Sequence, residues 1–404
     1  MTKLSKKEKL TTKFKNMNYD FNEPINRKGT ASFKYETLKQ NFGRDDLLPL
    51  WIADMEFRTA PCVTRAIQKR LDQDVFGYST LPQTYYNAIL RWLDHRYQMK
   101  AERENLGFIG GIVPGVAMAL CSLTKPGDTI LVNQPVYFPF NLMPGGLGRK
   151  LIFNPLKEVD GRYEIDLDDF RAKARQAKIF ILCNPQNPGG TVWRKEELRQ
   201  IIKICLEENT LIISDEIHAD LTLPPHRHTP LVMIDEAARE ITITFMAPSK
   251  AFNMPGIMAS HYIIYNEEIK KKLDHHIAAA HTGGANAFAA AAVEAAYTAE
   301  GEEWLNECLD YIKGNIQYVE DYLLTNIPQI KPMHPEASFL LWLDCRELSL
   351  PQDKLVDLFV NGARLALNDG STFGHGGTGY MRLNVACPRQ MLEEAMKRLS
   401  KALK

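Results

Sequence analysis

"ITITFMAPSKAFNMPG" (241–256) runs from β-branched and apolar residues into one lysine, Lys250, set between Ser249 and Ala251. Such a run reads as a strand covered on both faces. It puts Lys250 four residues past the strand's end, and open α/β sheets bind their ligands beyond the carboxyl ends of strands. A lysine enclosed by protein is costly unless it is paired or chemically used. Desolvation lowers its pKa, which prepares an amine for Schiff-base chemistry. The bland alternative is a surface lysine in a loop.

Five more short runs of the same kind read as strands: "TILVN" (129–133), "KLIFN" (150–154), "KIFILC" (178–183), "LIIS" (211–214) and "HYIIY" (261–265). Between several of them lie helical patterns such as "KEELRQIIKICLEEN" (195–209), with Leu198, Ile201, Ile202 and Cys205 at helical spacing. That alternation predicts an α/β fold whose mainly parallel sheet is covered by helices. After about residue 280 the pattern changes. "ANAFAAAAVEAAY" (285–297) reads as a close-packing helix, and a long helix is expected from about Glu302 to Asn326. Then "SFLLWLD" (338–344), "KLVDLFV" (354–360), "YMRLNVA" (380–386) and a terminal helix from Arg389 suggest a smaller α/β domain. The expected organisation is a basic extension over 1–16, a segment over 17–58 packing on the small domain, a large domain over 59–297 and a small one over 298–404.

Three further stretches carry chemistry, and each is bland alone. "NPQNPGG" (184–190) follows a buried strand and holds two Asn-Pro pairs and a double glycine, more than a turn requires. Asn187 would sit at the ligand edge. In "LIISDEIHADL" (211–221), Asp215 and Glu216 end another strand. A carboxylate there is often the next helix's N-cap, but a buried aspartate needs a cationic or donor partner to stay charged. "LGFIGGIVPGVAMALCSL" (106–123) reads as a short strand, glycines and a helix beginning near Val113, an arrangement that offers backbone N–H groups to a phosphate.

The bulk numbers narrow the classes. Lys+Arg and Asp+Glu are both 49, and this zero balance argues against a nucleic-acid or membrane-surface role. No apolar run approaches the roughly 18 residues of a membrane span. Seven scattered cysteines without a C-x-x-C pair read as reduced thiols in a cytoplasmic protein. His226 with His228, and His275 with His276, are not at the spacing of a helical ligand pair, and no metal is expected. On spacing alone Tyr137 and Phe138 read as core aromatics.

A lysine for an imine, an aspartate for a pyridinium nitrogen, an asparagine for a phenolic oxygen and a helix N-terminus for a phosphate are together the demands of pyridoxal 5'-phosphate. From about Met17 onward the chain also resembles fold-type-I pyridoxal-phosphate enzymes, the aspartate aminotransferase superfamily. Within it the chain looks most like the cystathionine β-lyase (C–S lyase) branch. "LPLWIADMEF" (48–57), "FGYS" (76–79), "PVYFPF" (135–140), "NPQNPGG", "SDEIHADL", "APSKAFN" and "MRLNVACPR" (381–389) carry the likeness.

By position, the resemblance implies Lys250 as the Schiff-base lysine, Asp215 at the ring nitrogen, Asn187 at the ring's 3-oxygen and Tyr137 stacked on the ring. It implies Ile112 and Val113 at the phosphate through their backbones, with Ser249 adding a hydroxyl and His218 beside the cofactor. Arg382 would clamp the substrate α-carboxylate. Tyr78 would reach in from the other subunit of a homodimer. Three positions depart from the transaminase pattern: Met258 replaces a phosphate-binding arginine, His218 a tyrosine, and Ala247 a serine.

The expected activity is therefore α,β-elimination of L-cystathionine or a related sulfur amino acid, giving a thiol, pyruvate and ammonia. Transamination on the same scaffold is the alternative. A regulator carrying a transaminase-like domain is a third reading, for which the short N-terminal extension leaves no room for a DNA-binding domain.

Overall fold

The computed structural model describes residues 17–404, so the basic extension expected over 1–16 lies outside the described residues. Eight strands form the main sheet: β1 (Leu106–Ile109), β2 (Thr129–Gln134), β3 (Lys150–Val159), β4 (Arg162–Ile165), β5 (Ile179–Cys183), β6 (Leu211–Asp215), β7 (Thr242–Met246) and β8 (Ser260–Ile263). Their spatial order is β1-β8-β7-β6-β5-β2-β3-β4. The central pairs β7–β6, β6–β5, β5–β2 and β2–β3 are parallel. Strands β5, β6 and β7 are buried along nearly their whole length, which explains why they read as continuous apolar runs.

The edges of this mainly parallel sheet run the other way. β8 runs antiparallel to both β7 and β1, and β4 runs antiparallel to β3. The loop after β7 carries Lys250 and returns to the edge it left, so β8 must run back the other way. No pattern within "HYIIY" records that reversal.

Two helix starts also differ from the sequence reading. The helix expected over 285–297 is Ala289–Ala296, because Asn286 Oδ1 accepts the Phe288 N–H in a turn that delays it. The long helix expected from about Glu302 begins at Ala299, where Thr298 Oγ1 accepts the Gly301 N–H and caps it.

A second sheet has the order β9 (Lys331–Met333), β10 (Leu340–Asp344), β12 (Tyr380–Asn384) and β11 (Asn368–Asp369), all antiparallel. The N-terminal segment reaches several parts of the chain. Phe21 packs its ring against Phe57, Trp304 and Tyr311, and Leu48–Pro49 pairs in parallel with Leu365–Ala366. Among the described residues no helix is long and apolar enough to cross a membrane.

Candidate active site

The sheet alone brings the singled-out residues to one edge. Cys183 of β5 lies in register with Asp215 of β6, and Asp215 with Phe245 of β7. Asn187 follows four residues past β5, Asp215 ends β6, and Lys250 follows four residues past β7. At the far side, Ile109 of β1 pairs with Ser260 of β8, so Gly110, Gly111 and helix α1 (Ile112–Leu123) start from the same edge. Tyr137 lies three residues past β2. Five loops thus open into a cleft of about 730 Å³.

Lys250, Asp215, Asn187, Tyr137, Ile112, Val113, Ser249, His218 and Arg382 all line this cleft. Tyr78 does not. It is fully exposed on the surface of the chain. Tyr137 and Phe138, read as core aromatics from spacing, are instead wall residues: Phe138 is exposed and both border the cleft. β2 ends at Gln134, and Tyr137 caps and Phe138 opens the next helix beyond the strand's carboxyl end.

Arg382 comes from the second sheet and is buried. Its Nη1 donates to Asn187 Oδ1 at 2.9 Å and its Nη2 to Asn368 Oδ1 at 2.8 Å. Both partners are neutral amides, so the guanidinium keeps its full charge, and burial draws its pKa down to about 10. Nε is buried and has no protein partner, so the guanidinium keeps donor capacity beyond its two amide anchors. Because Asn187 gives its oxygen to Arg382, its NH₂ is the end left to donate to an acceptor in the cleft.

Asp215 is buried, and Oδ1 accepts the Ile217 N–H at 3.2 Å. Burial pushes its carboxyl up to about 7; the Ile217 hydrogen bond opposes this, the Glu216 charge adds to it, and Lys250 opposes it again. Such an aspartate is suited to a cationic N–H, which would restore its charge. Lys250 Nζ donates to the Ala53 carbonyl at 2.6 Å. Protein around the amine draws its pKa down to about 8, with Asp54 the largest influence in the other direction. His218, also enclosed, is drawn down to about 3, so it is a neutral imidazole at neutral pH. Among the described residues, Lys250, Asp215 and Arg382 form no ion pair with any protein group.

The residues present fit pyridoxal phosphate. Asp215 suits a protonated ring nitrogen, Lys250 is an amine of lowered basicity, and the Asn187 NH₂ is left to donate to a phenolic oxygen. The first N–H groups of α1 have no intrahelical acceptor, and Ser249 adds a hydroxyl beside them. Met258 lines the cleft where transaminases carry an arginine, so the only Lys or Arg side chains on the described wall are Lys250 and Arg382. Phosphate would be held by backbone and hydroxyl donors rather than by a guanidinium.

Sequence reasoning missed the Ala53 carbonyl, Asp54 and Asn368. "WIADMEF" was noticed as a motif, but a backbone acceptor leaves no mark on residue type. Asn368 lies in a two-residue strand with no periodicity to read.

Residues 45–399 match the family described as aminotransferase class I and II. The chain is 39% identical over 389 residues to the cystathionine beta-lyase PatB of Bacillus subtilis, covering 96% of this chain and 100% of that one. Among solved structures it is similar to cystalysin of Treponema denticola, which contains a pyridoxal 5'-phosphate cofactor. The TM-score there is 0.92 with 34% identity, over 96% of this chain and 99% of that one. It is also similar to a pyridoxal-phosphate-bound C–S lyase of Staphylococcus hominis, with a TM-score of 0.89 and 32% identity over 96% and 99% of the two chains.

Proposed function

We infer the reaction from one premise: this chain belongs to the family of class I and II aminotransferases. It is a pyridoxal 5'-phosphate-dependent enzyme, a carbon–sulfur β-lyase acting on L-cystathionine or a related sulfur amino acid. Relatives and structural neighbours named for that activity, over nearly the whole of both chains, support the reading. In the geometry, the observation that carries it is the convergence of Lys250, Asp215 and Arg382 in one cleft, the last two buried and the lysine half-buried, none of them in an ion pair.

Bound pyridoxal phosphate supplies a carbonyl carbon for amines and an electron sink for a carbanion at the substrate Cα. The chain supplies the rest. Arg382 binds the α-carboxylate, and its two amide anchors fix the plane of the guanidinium before substrate arrives. That fixed carboxylate sets the direction of the Cα–H bond. Lys250 is the base placed to take the Cα proton; with a pKa near 8 it spends an appreciable fraction of time as the neutral amine at neutral pH. Asp215 would hold the ring-nitrogen proton, Asn187 would donate to the ring's 3-oxygen, and Tyr137 would lie against the ring. Ile112, Val113 and Ser249 would hold the phosphate. His218, kept neutral, adds no positive charge beside the ring.

Tyr78 belongs to this reading only through a second copy of the chain. Its full exposure suits a side chain that completes a neighbour's site in a homodimer. A cytoplasmic location is inferred from the seven free cysteines.

Transamination shares the catalytic groups, so the test is of products. With L-cystathionine and no keto acid, a lyase releases pyruvate and a thiol over many turnovers, because elimination regenerates the starting enzyme. If one equivalent of substrate bleaches the visible absorbance, and turnover resumes only when a keto acid is added, the enzyme is an aminotransferase.

A further inference from the structure

A cluster of buried charge lies directly behind the Ala53 carbonyl that receives Lys250. Lys34, only 1% exposed, comes from a short helix in the N-terminal segment. Its Nζ lies 2.6 Å from Asp54 Oδ1 and 3.0 Å from Glu56 Oε1, and it donates to the Asp54 carbonyl at 3.0 Å. Arg27 bridges the same two carboxylates, Asp54 Oδ2 at 2.7 Å and Glu56 Oε1 at 2.7 Å, and Tyr35 Oη donates to Glu56 Oε2 at 2.9 Å. Two cations and two anions therefore balance. Burying such a set costs desolvation, and removing one member leaves an uncompensated charge.

The strap that this cluster holds is irregular. Ile52 has φ of +28°, a left-handed value that a β-branched residue rarely adopts, which marks stored strain. Asn384 Nδ2 donates to the carbonyls of Ile52 and Asp54, each at 2.7 Å. Asn253, three residues after Lys250, donates to the carbonyls of Met55 at 3.0 Å and Phe57 at 2.7 Å, and accepts the Met55 N–H at 2.9 Å. The lysine's own loop is thereby tied to the strap. Within it, the carbonyls of Ile52, Asp54 and Met55 are taken by Asn384, Lys34, Asn253 and Arg27. The Ala53 carbonyl faces Lys250.

We propose that the Ile52–Met55 strap is a dock for the Lys250 amine, in which the Ala53 carbonyl accepts its hydrogen bond and the oppositely charged Asp54 and Lys34 beside that carbonyl set when the amine carries its proton. The dock rests on the reading of Lys250 as the reacting amine. It gives the freed lysine one acceptor and one direction, so that it waits within the cleft instead of sampling other rotamers. The charged groups bearing on Lys250 are Asp54 and Lys34 from the N-terminal segment, Asp215 from the end of β6 and Arg382 from the second sheet, with the neutral His218 facing it from the turn after β6. Asp54 favours the ammonium form and Lys34 disfavours it.

The experiment compares Asp54→Asn, Lys34→Met and the wild type. Each is loaded with pyridoxal phosphate, and the pH midpoint of its visible absorbance is measured beside its thermal melt. The same full-length proteins, stripped of cofactor, are then acylated at varied pH, and Lys250 modification is read by mass spectrometry. The dock predicts that Asp54→Asn lowers the Lys250 midpoint and Lys34→Met raises it, each by about 0.5–1 pH unit, the lower end of what a neighbouring charge does. A scaffold acting only on stability has no reason to move the two in opposite senses. Shifts of the same sign, or no shift in cooperatively folded variants, overturn the proposal. Should Lys34→Met fail to fold, Arg27→Gln at its partly exposed position replaces it, and a downward shift there also overturns the dock. If the loaded wild type shows no visible band, the cofactor reading fails instead, and the acylation curves alone decide the dock.

Discussion

Arg382 Nη1 donates to Asn187 Oδ1 at 2.9 Å, joining a strand of the second sheet to a loop of the first. The contact turns the Asn187 NH₂ toward the cleft while holding the guanidinium flat. Arg382→Lys keeps the charge but offers no rigid fork to span Asn187 and Asn368. It should therefore lower kcat/KM for elimination by on the order of 10²-fold, with Arg382→Ala lower still. Cofactor affinity, read by absorbance titration, should change far less. An equal loss of both would mean that Arg382 supports the fold rather than the substrate.

Lys250→Ala should abolish both turnover and the visible absorbance of the loaded protein. No other lysine lines the described wall of the cleft. An unchanged absorbance band in the variant would assign the reacting amine elsewhere.

Asp215→Asn should fold normally, since it relieves a buried carboxyl whose pKa is already pushed up to about 7. Activity should fall by on the order of 10²-fold or more, the scale of a preorganised electrostatic partner. Steady-state kinetics within a few-fold of wild type would remove Asp215 from the chemistry.

Mixing Tyr78→Phe chains with Lys250→Ala chains tests the shared site. A heterodimer would hold one site carrying both changes and one carrying neither. Activity above the sum of the separate variants supports a Tyr78 that crosses between chains. Its absence despite mass-verified heterodimers shows that each chain is complete.

Acid should destabilise the protein through His261, a buried residue of β8 whose Nδ1 has no protein partner. Burial draws its pKa from 6.5 down to about 3. The unfolded chain therefore takes up the proton first as pH falls below 6.5, and stability is lost progressively between there and about pH 3. His261→Leu removes that proton uptake, so its unfolding free energy should fall less between pH 7.5 and 5, by on the order of 1–2 kcal/mol, while the second buried histidine, His218, contributes equally to both proteins and cancels. Parallel loss in both proteins would clear His261 of the effect.

The sequence by itself determined the main sheet's central strands and the residues at their carboxyl ends. β5, β6 and β7 are buried on both faces, so their apolar runs are continuous and their ends are marked where Asn187, Asp215 and Lys250 appear. The helices were legible from their spacing too, though a turn at Asn286 and a cap at Thr298 shifted two starts by a few residues. Only the tertiary structure decided what lies across the cleft. Arg382 and Asn187 are 195 residues apart in sequence, and no local period records their contact. The reversal of β8 depends on which edge a loop returns to, which residue type does not encode. The Ala53 carbonyl is a backbone atom, identical in every residue, so its role at Lys250 comes entirely from how Lys34, Asp54 and Asn384 hold the strap in place.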